Sequence, residues 1–98
     1  MSQNRVLQFI NYVCHLFFKD DFKEIYVKRD NGLELTEAEF DALIGSYHSS
    51  NSVINGDIHT DEYTYDIDDM KMKKLTIDYM KKDDRYVILS IHGFTENG

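Results

Sequence analysis

The stretch that decides the fold is KLTIDYMKKDDRYVILSI, residues 74–91. In its first half, apolar and polar residues alternate, as in a strand with one face in the core, and the apolar set is Leu75, Ile77 and Tyr79. Its second half, residues 86–91, is almost continuously apolar, which is typical of a central strand covered on both faces. Residues 81–84 are polar and supply the turn. The stretch therefore predicts two neighbouring antiparallel strands of a larger sheet.

The two-residue period continues upstream, in residues 62–68, where polar residues alternate with Tyr63, Tyr65 and Ile67. Before this strand, Asn55-Gly56 is a turn signal that connects it to a short strand at Val53 and Ile54. The serine-rich run at residues 49–52 is predicted to be a loop.

Two helices are predicted in the first half of the chain. Residues 3–19 repeat apolar side chains at the spacing of one helix face, at Val6, Phe9, Ile10, Val13 and Phe17. The second helix begins at Thr36, because Thr36 and Glu39 can form a capping box and Leu35 can pack on Phe40. It ends near His48, and its inner face comprises Phe40, Leu43, Ile44 and Tyr47.

Between the helices, the sequence allows two structures. Residues 22–28 alternate in the manner of a strand, and Asn31-Gly32 suits the turn of a short hairpin. Alternatively, the first helix extends to Arg29 and ends at Gly32. The segment from Asp20 to Arg29 is therefore left open between helix and strand.

Together these patterns predict an α+β fold, with two helices packed on one face of an antiparallel β-meander. A chain of 98 residues with 42% hydrophobic residues forms a single small domain, residues 1–98, with its own core. The lone Cys14 forms no intrachain disulfide, which favours a reducing compartment. The N-terminal apolar stretch is too short for a signal peptide or a membrane span, so we expect a cytoplasmic protein.

Charge is strongly segregated along the chain. Residues 30–69, called the acidic segment below, contain eleven Asp and Glu residues and no Lys or Arg. This segment carries −11 and the remainder carries +4, which together give the net charge of −7. Ordinary surfaces intersperse both signs, so the segregation suggests a role in binding. The net charge opposes direct binding to nucleic acid or to an anionic membrane.

The densest part of the acidic segment is residues 57–69, and it supplies the candidate partner-binding residues: Asp57, His59, Asp61, Glu62, Tyr63, Tyr65, Asp66, Asp68 and Asp69. In a strand over residues 62–68, one face would present Glu62, Thr64, Asp66 and Asp68. Side chains on one strand face are about 7 Å apart, which is comparable with the spacing of backbone phosphates. Such a row would attract Lys and Arg, and the tyrosines would add rigid contact area.

These features predict a small acidic inhibitor that binds and neutralises a basic protein, such as a nuclease toxin or a nucleic-acid-handling defence or host enzyme. In composition the chain resembles bacterial immunity proteins and phage-encoded inhibitors, being short, acidic, tyrosine-rich and free of catalytic motifs. We expect no enzyme activity, no metal site and no cofactor, because the histidines are scattered and nucleotide-binding and nucleophile motifs are absent.

Two alternatives follow from the same sequence. In the first, the chain is a non-catalytic structural or regulatory adaptor that binds through its helices or a sheet edge, and its charge serves solubility alone. In the second, acidic and basic surfaces of two copies meet in a homodimer.

Overall fold

The computed structural model describes residues 2–15, 24–68 and 71–97. Within these ranges the elements are α1 (Ser2–Cys14), β1 (Glu24–Thr36), α2 (Glu37–Ile44), β2 (Ser49–Asn55), β3 (Ile58–Asp68), β4 (Lys71–Lys82) and β5 (Arg85–Asn97). The strands form one antiparallel sheet in the order β1-β5-β4-β3-β2. Strands β2 to β5 form a meander, and β1 pairs with the last strand. The predicted α+β fold is confirmed.

Both helices pack on the same face of the sheet, which we call the covered face. The helices bury Val6, Phe9, Ile10, Val13, Phe40, Leu43 and Ile44. The strands bury Leu33, Leu35, Tyr63, Tyr65, Leu75, Ile77, Tyr79, Ile88 and Ile91 in the same cluster. We call the opposite face the open face, because no described element covers it. The two-residue period of the strands is thus explained by one buried and one open face.

Strand β5 is central, as its apolar run predicts, since it lies between β1 and β4. The expectation that it is covered on both faces is wrong. Ile88 and Ile91 are fully buried, whereas Val87 and Leu89 are only half-buried. The reason is that the described helices pack on the covered face alone.

Of the two structures considered for the segment between the helices, the strand is confirmed for residues 24–28, as the first part of β1. Residues 24–28 and 33–36 both pair with β5, so neither a hairpin that turns at Asn31-Gly32 nor a helix through residues 24–29 forms. Lys28 lies opposite Ser90 and Leu33 opposite Ile88, so residues 29–32 bulge opposite a single residue of β5. The turn-forming residues therefore produce a large bulge. Residues 16–23, which include the end of the predicted first helix, lie outside the described residues.

Helix α2 begins as predicted. The Thr36 amide donates to Glu39 Oε1 at 2.8 Å, and the Glu39 amide donates to Thr36 Oγ1 at 3.2 Å, which completes the capping box. The helix ends earlier than predicted, at Ile44, and Gly45 follows with φ of 63°. Tyr47 therefore lies beyond the helix and is exposed rather than on its inner face.

The serine-rich run forms strand β2 and not the predicted loop. All seven residues of β2 pair in register with β3, from Ser49 opposite Thr64 to Asn55 opposite Ile58. Pairing with a long neighbouring strand overrides the weak strand preference of serine and asparagine. The predicted turn at Asn55-Gly56 is confirmed, because Gly56 has φ of +65° and joins β2 to β3.

Candidate partner-binding surface

Strand β3 distributes the predicted binding residues over both faces of the sheet. Successive side chains of a strand point to opposite faces. Asp61, Tyr63 and Tyr65 lie on the covered face and are buried, whereas Glu62 lies on the open face and is half-buried. The predicted residues therefore do not form one continuous surface.

Asp61 is a buried carboxylate with an exposure of 5%. Its Oδ2 accepts hydrogen bonds from the hydroxyls of Tyr63 at 2.7 Å and Tyr79 at 3.0 Å. Its Oδ1 accepts a hydrogen bond from Ser52 Oγ at 2.7 Å. A buried carboxylate needs such donors, because it has lost its contacts with water. Asp61 thus joins β2, β3 and β4 through side-chain hydrogen bonds.

The two tyrosines that donate to Asp61 are held in the neutral form. Burial raises the pKa of the Tyr63 hydroxyl, and the hydrogen bond to Asp61 and its negative charge raise it further. Burial also raises the pKa of Tyr79, with a further contribution from the charge of Asp61 and the hydrogen bond to it. An ionised tyrosine here would lose a donor and face a carboxylate, so the cluster requires both protons.

Aromatic rings enclose this polar cluster. Tyr79 packs on Phe40 with ring centroids 5.1 Å apart, and Phe40 stacks on Tyr86 at 4.5 Å. Tyr63 packs on Tyr47 at 4.9 Å. Tyr65 donates its hydroxyl to the backbone carbonyl of Ile44, at the end of α2.

The prediction that Asp61, Tyr63 and Tyr65 contact a partner is therefore corrected. All three are in the core, where they bind one another, α2 and the neighbouring strands. Their position follows from the two-residue period of a strand. Asp61, Tyr63 and Tyr65 are alternate residues of β3, so their side chains point to the same face, which the helices cover. Their role in this structure is to stabilise the fold.

Glu62 is the acidic residue of β3 with a described side chain that reaches the open face. It lies opposite Asn51 of β2 and Thr76 of β4, which are both uncharged. The next residue on this face, Thr64, is buried. Glu62 therefore presents a carboxylate among neutral cross-strand neighbours.

The predicted row of carboxylates is interrupted further along β3. Asp66 and Asp68 lie opposite consecutive residues of β4, so Ile67 between them has no partner and forms a bulge. The regular two-residue register on which the predicted row depends therefore ends at this bulge. Asp69 lies outside the described residues.

Asp57 and His59 lie at the end of the sheet where β2 turns into β3. Asp57 is exposed in the turn, and His59 is half-buried and stacks on Tyr79 with centroids 5.1 Å apart. Both residues line an open depression of about 400 Å³ whose other walls are Gly56, Met80, Lys81, Lys82 and Val87. The depression brings the β2–β3 turn beside the end of β4.

The topology divides the acidic segment between two edges of the sheet. The segment includes the end of β1 at one edge and both β2 and β3 at the other, and α2 connects these edges. Its exposed or half-buried carboxylates are Glu34, Glu37, Glu39, Asp41, Asp57 and Glu62. Strands β4 and β5 lie in the middle and contain Lys71, Lys73, Lys74, Lys81, Lys82 and Arg85. Most cations of the sheet therefore lie on its two central strands, between the two parts of the acidic segment.

Sequence reasoning missed a polar group on the open face. Asp78 accepts a hydrogen bond from Thr60 at 2.6 Å through Oδ1 and another from Ser90 at 3.0 Å through Oδ2. The three residues are cross-strand neighbours on β3, β4 and β5. Only the register reveals this group, because the residues are far apart in the sequence.

Neither described helix is long and apolar enough to cross a membrane.

Comparison with curated proteins finds relatives in archaeal viruses. The chain is 40% identical over 79 residues to uncharacterised protein 14 of Sulfolobus islandicus filamentous virus, isolate Iceland/Hveragerdi, covering 81% of this chain and 70% of that protein. It is also 40% identical over 85 residues to protein ORF99 of Acidianus filamentous virus 1, isolate United States/Yellowstone, covering 86% and 84%.

Two solved structures have the same fold. The first, described as the thermo- and acido-stable ORF-99 from an archaeal virus, has a TM-score of 0.88 at 36% identity, covering 100% of this chain and 98% of that one. The second, ORF14 from Sulfolobus islandicus filamentous virus, has a TM-score of 0.86 at 36% identity, covering 93% and 83%. Residues 7–96 match the family described as protein of unknown function, DUF1374. The chain therefore belongs to the DUF1374 family.

Proposed function

We propose that this chain is a small acidic inhibitor that binds a basic protein and neutralises it without catalysis. Its target is a nuclease or another enzyme that handles nucleic acid in the host cell. The viral relatives support this setting, because a virus gains from blocking host enzymes that act on its genome. An enzyme of this kind presents Lys and Arg where it binds phosphates, and an acidic protein can occupy that surface.

The observation that carries the proposal is the absence of Lys and Arg from the acidic segment. On the hairpin of β2 and β3, Asp57 is exposed in the turn and Glu62 lies among neutral neighbours on the open face. Glu37 and Asp41 add exposed carboxylates on α2. Negative charge at these exposed positions raises the rate at which a basic partner is encountered.

The contact residues that we propose differ from the set that the sequence suggests. Asp57 and Glu62 remain, because their carboxylates reach the surface. The buried Asp61, Tyr63 and Tyr65 act indirectly, by fixing β3 so that Glu62 has a defined position.

Affinity capture tests the proposal. The tagged protein is incubated with lysate of an archaeal host at low salt, and bound proteins are eluted by a salt step and identified by mass spectrometry. We expect a basic nuclease or nucleic-acid-binding enzyme in the salt eluate. The double variant Asp57→Lys, Glu62→Lys should lose this protein.

The matched control is the double variant Glu24→Lys, Asp84→Lys. It makes the same change in net charge at two exposed positions outside the acidic segment, so it should retain most of the captured protein. Equal loss from both double variants would mean that net charge alone attracts the partner. A partner that is neutral or resists the salt step would contradict the proposal.

The second candidate function is a non-catalytic adaptor that binds through a helix or a sheet edge. One observation favours it: Leu7 and Tyr12 on α1 are exposed by 51% and 55%. Binding through this surface would depend weakly on salt and would be unaffected by the charge reversals.

A further inference from the structure

We propose that the partner adds an extended basic segment to strand β2, as a sixth strand of the sheet. This inference rests on the proposed function and assigns the geometry of its contact. Strand addition of this kind uses backbone hydrogen bonds for affinity and alternate side chains for specificity. The observations that support it concern the two edges of the sheet and the charge near each.

Strand β2 is an unprotected edge. It pairs with β3 on one side, and no other described strand pairs with its outer side. All seven of its residues are exposed, and its pairing with β3 contains no register shift. Its sequence, SSNSVIN, contains no charged residue and no proline. Natural proteins usually protect an edge with lysine, proline or a bulge, because unpaired backbone groups bind other strands.

The opposite edge has the protection that β2 lacks. Strand β1 is interrupted by the four-residue bulge at residues 29–32, which distorts the line of its backbone groups. It also carries charged residues along its length, at Glu24, Lys28, Arg29, Asp30 and Glu34. The contrast between the two edges indicates that β2 is kept open for a strand.

The charge of the β2–β3 hairpin determines which kind of strand can be added to β2. The hairpin of β2 and β3 contains no Lys or Arg, and the carboxylates of Asp57 and Glu62 reach its surface. An added strand with alternating Lys or Arg would meet no cation on its nearest neighbours. A second copy of the same hairpin would instead bring like charges together in a chain of net charge −7.

The side chains of β2 favour an added strand with small apolar residues between its cations. Val53 and Ile54 are exposed by 56% and 64%, so each offers apolar surface to a cross-strand neighbour. The two residues point to opposite faces, since they are consecutive in a strand. An added strand in which cations alternate with apolar residues has all its apolar side chains on one face, so it can bury either Val53 or Ile54 and direct its cations to the other face.

A synthetic peptide serves as the probe. It has about eight residues in which lysine alternates with valine, which matches the length of β2. Amide hydrogen exchange, followed residue by residue by NMR, is measured with and without the peptide at low salt. We expect the amides of β2 to exchange more slowly in its presence. The matched peptide with glutamate in place of lysine should leave them unchanged, as should a peptide of the β2 sequence.

Three results would overturn the inference. The first is no effect of the lysine peptide on any amide. The second is protection on the open face or on α2 instead of β2. The third is protection of the β2 amides without peptide together with a dimeric mass in solution, which would identify a second copy as the occupant.

The variant Val53→Lys provides a second test. It adds a cation to the exposed edge of β2 and should weaken peptide binding by roughly threefold to fivefold, because like charges then oppose each other. The matched control is Tyr26→Lys, at a residue of β1 that is exposed by 62%. Equal weakening by both variants would contradict strand addition at β2.

The strand addition and the proposed function fail in distinguishable ways. A basic enzyme that is captured equally well by wild type and by Val53→Lys would preserve the proposed function and overturn the contact. If no basic enzyme is captured but the lysine peptide slows exchange of the β2 amides, the contact at β2 is preserved and the proposed function is overturned.

Discussion

At the scale of single residues, Asp61 is a core residue that lies within the most acidic part of the sequence, residues 57–69. Asp61 stands among surface-type residues in the sequence, yet it has the same parity as Tyr63 and Tyr65 on β3. Extending the predicted strand N-terminally from residue 62 to residue 58 would have placed Asp61 in the core by period alone. Its three hydroxyl donors were not predictable, because Ser52 and Tyr79 come from other strands.

Replacing Asp61 by asparagine should lower the free energy of unfolding by roughly 2–4 kcal/mol. The amide has nearly the same shape, but its NH₂ group faces hydroxyl donors where a carboxylate oxygen accepts. Chemical denaturation measures the change, and Asp57→Asn in the exposed turn serves as the control, with an expected change within about 0.5 kcal/mol. Equal effects of the two substitutions would show that the buried hydrogen bonds do not stabilise the fold.

The raised pKa values of Tyr63 and Tyr79 predict a loss of stability in alkali. Their pKa values lie above the usual 10.0 in the folded state, so their contribution is complete below pH 10.0. Above that pH the unfolded chain ionises these tyrosines while the folded chain does not. The free energy of unfolding should then fall by about 1.4 kcal/mol per pH unit for each tyrosine.

Denaturation measured at increasing pH checks this prediction. The double variant Tyr63→Phe, Tyr79→Phe starts less stable, because Asp61 loses two donors. Its stability should nevertheless fall less steeply above pH 10.0, since two ionisable groups are gone. Parallel curves for wild type and variant would contradict the assignment of the raised pKa values.

At the scale of elements, the sequence predicts a helix boundary that depends on hydrogen bonds between residues close together in the chain. The start of α2 was predicted because Thr36 and Glu39 bind each other within one turn. Strands β1 and β2 were predicted only in part, over residues 22–28 and at Val53 and Ile54, because their full length depends on pairing with the neighbouring strand. Asn31-Gly32 suits a turn, and only pairing with β5 on both sides converts it into a bulge.

Replacing Thr36 by alanine should lower the free energy of unfolding by about 1 kcal/mol, because the first turn of α2 loses its cap. Thr36→Ser retains the hydroxyl and should cost much less. A double-mutant cycle with Glu39→Ala should show coupling, since the two residues bind each other. Strictly additive effects would indicate that the capping box does not act as a unit.

At the scale of the whole molecule, strand order determines where the charge lies. The segregation of charge is visible in the sequence, but its arrangement is not, because β1 pairs with β5, the strand farthest from it in the chain. That pairing places the part of the acidic segment in β1 at one edge of the sheet, while its β2–β3 hairpin forms the other side. The sequence therefore shows that charge is segregated along the chain but does not show which carboxylates share a surface.

The central claim is that carboxylates on the β2–β3 hairpin attract a basic partner. The most direct measurement is the association rate constant between this protein and the enzyme that it captures, determined at increasing salt. We predict that the rate constant falls by about tenfold or more between about 50 mM and 500 mM salt. At low salt, it should be much lower for Asp57→Lys, Glu62→Lys than for Glu24→Lys, Asp84→Lys. A rate constant that does not change with salt, and is the same for both double variants, would contradict the claim.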